Sequence, residues 1–226
     1  MLRLSPILIA VLVGFGMYWF SAFRLRKTLS AQSVELVDPR LNPVLSKMAQ
    51  ALDVEKIKVH RYEIDTVNGL AAPDGRIFIT RGLYDKFRSG EITAQELASV
   101  IAHELGHIAL GHSRRRMIDF SSQNAIRAAL TMVISRFIPW IGPWIANMLV
   151  NMLSAKLSRS DEYEADEYAS ALLIKAGIGI DPQISLFEKL DALTGQMGSA
   201  PAWLLSHPKT SERIAAIEDR YSNLAE

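Results

Sequence analysis

His103, Glu104 and His107 lie within the stretch HELGHIALGH at 103–112, and their types and spacing point directly to chemistry. Residues four apart on an α-helix are related by about 400° of rotation, so the two imidazoles project nearly one above the other. Glu104, one residue further round, reaches the space beside them. Two histidines so placed can bind zinc, and the glutamate can act as general base on a water held there: the H-E-x-x-H arrangement. His112 brings the count to three of the chain's five histidines within ten positions. On an ideal helix it would lie about 180° from His103. The metzincin pattern, which turns a third histidine back to the metal, needs glycine at 110 and histidine at 113. This chain has Leu110, Gly111 and Ser113. His112 is therefore read as a helix-end or surface histidine outside the ligand set.

A catalytic zinc takes a third protein ligand and leaves its fourth position to water. The chain has no cysteine, which removes thiolate ligands, disulfides and a cysteine nucleophile together. SRSDEYEADEYASALL, 158–173, reads as a helix carrying Glu162 and Asp166 four apart on one face. Glu162 can supply an oxygen ligand, and Asp166 can accept from the free ring N–H of a ligating histidine and so fix its tautomer. The plain alternative is an acidic, solvated helix, which Glu164 and Glu167 fit.

The motif helix starts with Thr93-Ala-Gln-Glu96, the form of a capping box. Leu97, Val100, Ile101, Leu105, Ile108 and Ala109 keep the 3.6-residue period of a buried helix, and Gly111 suits a left-handed cap. Upstream, LSKMAQALDV has helical spacing, Ile57–Ile64 alternates as a half-buried strand does, and RIFITRGL reads as a second strand. Residues 28–44, with Pro39 and Pro43, read as a linker.

Two apolar regions raise the hydrophobic content to 49%. Leu4–Phe23 is uncharged, lies between Arg3 and Arg24, and ends in the aromatic cluster Tyr18, Trp19, Phe20. A helix of that length spans about 30 Å, the thickness of a bilayer's hydrocarbon core. No A-x-A site follows it, so an uncleaved anchor is favoured over a signal peptide. The basic flank Arg24, Arg26, Lys27 outweighs Arg3, which points the rest of the chain to the cytoplasm by the positive-inside rule. The second region, 128–157, is interrupted by Arg136, Pro139, Gly142 and Pro143. It reads either as a hairpin that touches a membrane or covers substrate, or as a core helix. With 25 Lys+Arg against 24 Asp+Glu, the chain has no global basic field for nucleic acid.

Taken together, HELGH and, about 55 residues later, SRSDEYEAD resemble the membrane-associated gluzincins that include the HtpX heat-shock proteases and the CAAX prenyl proteases. The resemblance covers roughly residues 40–220 and implies Glu162 as the third zinc ligand, with Ala165 and Asp166 completing the element. VNGLAAPDGRIFITRGL resembles that family's edge strand, so Asn68, Gly69, Leu70 and Ala71 would pair with an extended substrate backbone, although Gly69 stands where alanine is usual. SHPKTSERI resembles its H-P…R-I element, which would put His207 and Arg213 near the substrate carbonyl. On residues alone these two are an exposed loop histidine and an ordinary helix arginine. The membrane layout departs from HtpX itself, which has two spans before its zinc motif.

The resulting expectation is an α+β, mainly α, gluzincin-type domain with a small β-sheet. It divides into an anchor with basic flank (1–27), the linker (28–44) and a metallopeptidase domain (45–226) that includes the 128–157 hairpin. It would bind one zinc ion and cleave peptide bonds of unfolded or damaged membrane-associated proteins, with Glu104 as base and His207 and Arg213 assisting. It would sit single-pass in the inner membrane, touching lipid through residues 4–23 and no nucleic acid. The rival expectation is a non-proteolytic or latent assembly factor whose cleft is plugged by 128–157.

Overall fold

The computed structural model describes residues 6–115, 130–131, 133–138, 140–196, 207 and 210–222. Helix α1 (Pro6–Ala31) leads into strand β1 (Ser33–Glu35), followed by α2 (Asn42–Ala51), β2 (Val59–Tyr62), β3 (Gly69–Ala71), β4 (Ile77–Thr80), α3 (Arg81–Ser89) and α4 (Ala94–Ala109). The C-terminal part is helical, with α5 (Gly142–Lys175), α6 (Asp181–Gln196) and α7 (Thr210–Ser222). The fold is mainly helical around one four-stranded sheet of order β1-β2-β4-β3, in which only the β2–β4 pair is parallel. β3 therefore forms an edge.

The capping box forms as its residues imply. Thr93 N–H donates to Glu96 Oε2 at 2.8 Å, and Glu96 N–H donates to Thr93 Oγ1 at 3.2 Å. Glu96 also accepts from Lys189 Nζ at 2.8 Å and from Ser185 Oγ at 2.6 Å, which ties the start of α4 to α6. Leu97, Val100 and Ile101 are buried against α5 and α6 in a core that includes Leu173, Leu186 and Phe187. Each such side chain contributes about 2 kcal/mol by leaving water.

Three local expectations change. The apolar period of RIFITRGL ends as a strand at Thr80, whose Oγ1 accepts from Leu83 N–H, so Arg81-Gly82-Leu83 opens α3 instead of extending β4. Residues 28–44 carry structure: α1 runs on to Ala31, β1 pairs with β2, and Leu29 and Leu41 are buried. The second arm of the expected 128–157 hairpin and the 158–173 helix are one continuous helix, α5. Residues 128, 129, 132 and 139 lie outside the described residues, but the tip is solvent-facing: Phe137 is 78% exposed, Trp140 95% and Trp144 64%. That exposure rules out a core role for the tip.

Among the described residues no helix is long and apolar enough to cross a membrane. Leu4 and Ser5 of the apolar run lie outside them, and α1 continues through Arg24, Arg26 and Lys27, so its C-terminal end is charged.

Asp38 pins the β1–α2 loop. Its carboxylate accepts from the Arg40 backbone N–H at 2.9 Å, from the Arg40 guanidinium and from Tyr84 Oη at 2.9 Å. The Arg40 hydrogen bond holds its pKa at about 2, below the ordinary 3.8. A carboxylate with a depressed folded pKa stabilises fully above its unfolded pKa, and that contribution fades as pH falls through the folded value. Asp38→Asn is expected to lower the thermal midpoint at pH 6, with the deficit shrinking steadily between about pH 4 and pH 2. A deficit independent of pH in a melting series would contradict the ionic role.

Candidate metal centre

Two helices supply most of the site, and their separation is set by small residues. Gly106 of α4 faces Ala165 of α5; a Cβ on Gly106 would lie 3.0 Å from both the Ala165 Cα and its carbonyl oxygen. Gly106 falls between His103 and His107, and Ala165 between Glu162 and Asp166. The close approach therefore brings the two functional faces together. His103, Glu104, His107, Glu162 and Asp166 are all buried, at 3% exposure or less.

The ring edges converge. His103 Nε2 and His107 Nε2 are 3.1 Å apart, and Glu162 places Oε2 3.3 Å from the first and Oε1 3.5 Å from the second. His207 joins them, its Nδ1 2.5 Å from Glu162 Oε2 and 3.3 Å from His103 Nε2. One ligand atom from each of His103, His107, Glu162 and His207 can be chosen so that all four lie within 4.8 Å of one another. The rings' outer partners define their tautomers. Asp166 Oδ1, which can only accept, is 2.9 Å from His103 Nδ1, so that nitrogen carries the proton and Nε2 is bare. Glu164 Oε2 lies 3.2 Å from His112 Nε2, which must then be the protonated nitrogen of a neutral His112. Its bare Nδ1 accepts from His107 Nδ1–H at 3.0 Å, again leaving Nε2 bare toward the centre. Lone pairs crowded this closely in a buried site call for positive charge between them, and the four groups could hold a metal ion there. A set of imidazole nitrogens and one carboxylate, without sulfur, suits zinc.

The two carboxylates make the position between the rings strongly favourable for positive charge, a second proton on His103 Nε2 or a metal ion in its place. Burial opposes a charge on His103, but its hydrogen bonds to Asp166 and Glu162 hold the imidazole up at about 9. Burial works against the Glu162 carboxylate too, yet the neighbouring His207 and His103 keep it far below the ordinary range. Burial pushes His207 down to about 4. Arg213, itself buried, holds Asp166 in a fork, Nε to Oδ2 and Nη2 to Oδ1, both at 2.6 Å. Its guanidinium lies over the Phe187 ring at 4.4 Å. Burial raises the cost of ionising Asp166, and Arg213 more than offsets it.

His103, Glu104, His107, Glu162, Asp166, His207 and Arg213 thus fall in one cluster, and β3 lies beside it. A Cβ on Gly69 would meet Val100 Cγ1 at 2.6 Å and Glu104 Oε1 at 3.3 Å, so the missing methyl lets the edge strand close onto Glu104. Asn68 is held to β4 through Thr80, and Leu70 and Ala71 follow in the register Leu70↔Phe78, Ala71↔Ile77.

Two readings are corrected. His112 is not a surface residue but fully buried, because α4 ends at Ala109 and Gly111, at φ 73°, turns the chain back under His107. Extrapolating an ideal helix past that glycine misplaces it. His207, an exposed loop histidine on residues alone, is buried at the centre, just before α7, which packs on α5 and α6. Glu164 is half-exposed yet engaged, and Asp161, buried beside it, pairs with Arg115. Ser206, Pro208 and Lys209 of the expected H-P element lie outside the described residues.

A buried His-His-Glu cluster on two helices, with a glutamate beside an edge strand, could hold a metal ion as a metallopeptidase centre does. Residues 35–221 match the model for peptidase family M48, and the chain belongs to that family. It is 28% identical to the metalloprotease LoiP of Escherichia coli over 93% of this chain and 88% of LoiP. It is 31% identical to the metalloprotease YcaL of the same organism, over 79% of this chain and 69% of YcaL. It is also 27% identical to an HtpX protease homologue of Salinibacter ruber, over 94% and 87%.

Two outcomes are expected from this geometry. Gly106→Ala should push α4 and α5 apart and lower zinc affinity at least tenfold in a chelator competition while the far-ultraviolet circular dichroism stays helical; unchanged affinity would refute the spacing role. His112→Ala should weaken zinc binding by about 10-fold, the lower end of what outer partners of metal-binding histidines supply. Parent-like affinity would restore the surface reading.

Proposed function

We propose that the protein is a zinc-dependent endopeptidase, anchored by its N-terminal helix, that cleaves unfolded or damaged membrane-associated polypeptides. The observation that carries it is Glu104 wedged between the His103–His107–Glu162 cluster and the sheet edge at Gly69, where base, metal position and substrate backbone would meet. His103, His107 and Glu162 would hold the ion. Zinc, when bound, polarises the scissile carbonyl and makes a water in the site acidic near neutral pH.

The chain's own groups do the rest. Glu104 accepts the proton of the attacking water and returns it to the leaving amine. His207, whose one N–H here faces Glu162 from Nδ1, would turn that donor to the carbonyl oxygen as it gathers negative charge once Glu162 is engaged by the ion. Arg213 orients this end of the site, contacting the His207 carbonyl at 3.5 Å while gripping Asp166, and Asp166 keeps His103 in the tautomer that presents Nε2. Asn68 to Ala71 offer backbone groups along β3 to an extended substrate, which gives affinity with little demand on sequence.

Anchoring rests on the uncharged run Leu4–Phe23 and on the exposure of Leu12, Phe15 and Phe20, which lie outside the cavity lining on α1. With the basic flank at Arg24, Arg26 and Lys27, this favours a single-pass inner-membrane protein whose remaining domain is cytoplasmic. The division into anchor (1–27) and catalytic domain follows, with residues 28–44 joining the two. The latent reading, in which 128–157 plugs the cleft, gains nothing from a tip as open as Trp140.

Glu104→Gln should retain one zinc per chain by elemental analysis while cleavage of denatured casein drops by about 10³-fold. Cleavage within tenfold of the parent would remove Glu104 as base. Glu162→Ala should lose most of its zinc, and full occupancy would take Glu162 out of the ligand set.

A further inference from the structure

A cavity of about 810 Å³ opens beside the metal centre, and α1 forms one of its walls. Trp19 and Phe23 face it from α1, Ala72 and Pro73 from the turn after β3, and His107 and Ile108 from α4. Its size is within the roughly 300–1,000 Å³ of pockets that enclose most of a bound group. The wall is held in place. Leu29 is buried with Ala72 and Phe78 in a small core of its own. Arg26 Nε pairs with Asp74 Oδ2 at 3.2 Å, Arg76 Nη1 donates to Ser30 Oγ at 3.1 Å, and Tyr62 Oη donates to Gln32 Oε1 at 3.1 Å. These contacts bind the C-terminal part of α1 to the sheet, so the aromatic side chains one and two turns earlier project over the end of α4.

We propose that α1 takes part in substrate recognition, with Trp19 and Phe23 forming, together with Ile108 and Ala72, a pocket for a large apolar side chain of the polypeptide being cleaved. The proposal rests on the endopeptidase reading of the site. Continuity names the occupant: the cavity is bounded by Ala72 and Pro73, the residues that directly follow β3, and by His107, a member of the ligand cluster. A chain paired along β3 next to Glu104 must cross the mouth of this cavity, and alternate side chains of an extended strand point to the same face. Charge selects the side chain. Asp74 is already engaged by Arg26 and Arg76, and Arg114 stands at the rim, so a basic residue is disfavoured while the aromatic wall gains by covering. Trp19 and Phe23 are 69% and 65% exposed, which leaves apolar surface for an occupant to cover.

Two measurements on the full chain in nanodiscs of phosphatidylethanolamine and phosphatidylglycerol test this. The first profiles cleavage of a mixed peptide library by the parent and by Trp19→Ala/Phe23→Ala. The parent should favour Leu, Phe or Met over small residues at one subsite, and the double variant should lose that preference by roughly tenfold at that subsite alone. An unchanged profile, or a uniform loss over all peptides, overturns the proposal. The second introduces p-benzoylphenylalanine at Phe23 in the Glu104→Gln chain and irradiates with denatured casein. Adducts with casein support the pocket; adducts with lipid alone, or none with casein, overturn it. A parent that cleaves no peptide would overturn the endopeptidase reading, and the crosslink would still decide the pocket.

Discussion

Where α4 and α5 cross, Gly106 meets the backbone of Ala165, and a methyl group there would fit only if the helices gave way by a few tenths of an ångström. Side chains on facing helices usually begin about 8–10 Å apart at their axes, a gap that long residues must bridge. Here the gap is reduced at one point, and imidazoles and carboxylates on either side of that point can share a single ion. The capping box at Thr93, the Glu96–Lys189 tie and the apolar stripe of α4 all serve to hold the register at which Gly106 finds Ala165.

The buried polar groups form a graded network. Asp166 belongs to both His103 and Arg213, and each of these makes the other's contact possible. Removing one member would strand a buried charge, at a cost of about 3–5 kcal/mol. His107 is held by a longer route, through His112 to Glu164, which reaches the surface. The two histidines are thus fixed by unlike means: one by a buried ion pair, the other by a second imidazole and a half-exposed carboxylate. Both arrangements leave the same nitrogen facing inward.

Much of this was legible in the residues. A helix-borne H-E-x-x-H with a capping box needs only helical periodicity to be read; the same four-residue spacing offers Glu162 and Asp166 as candidates, and the resemblance to the gluzincins singles out Glu162. What could not be read depends on chain reversals. His112 required knowing that Gly111 would turn the chain under α4, and His207 required the packing of α7 on two other helices. Strand β4 and helix α3 share one apolar run, and only the Thr80 side chain, accepting from Leu83, marks where extended backbone ends. Residues 28–44 looked like a connection because prolines punctuate them, yet Pro43 lies in the first turn of α2, where a missing N–H costs nothing.

Helix α1 is continuous from Pro6 to Ala31 and is fastened to the sheet near its end, at Arg26, Leu29 and Ser30. Distance along such a rod is fixed at about 1.5 Å per residue. From Arg24, where the uncharged run stops, to Leu29, where the helix is seated, is therefore only about 8 Å. In the anchored orientation proposed above, the centre would be held at a constant height just above the lipid headgroups. Such a peptidase would choose its cut by measurement: a client's cleavage site would be set by how far its chain extends from the bilayer before meeting Glu104, and lengthening α1 by one turn would move every cut outward by the same increment.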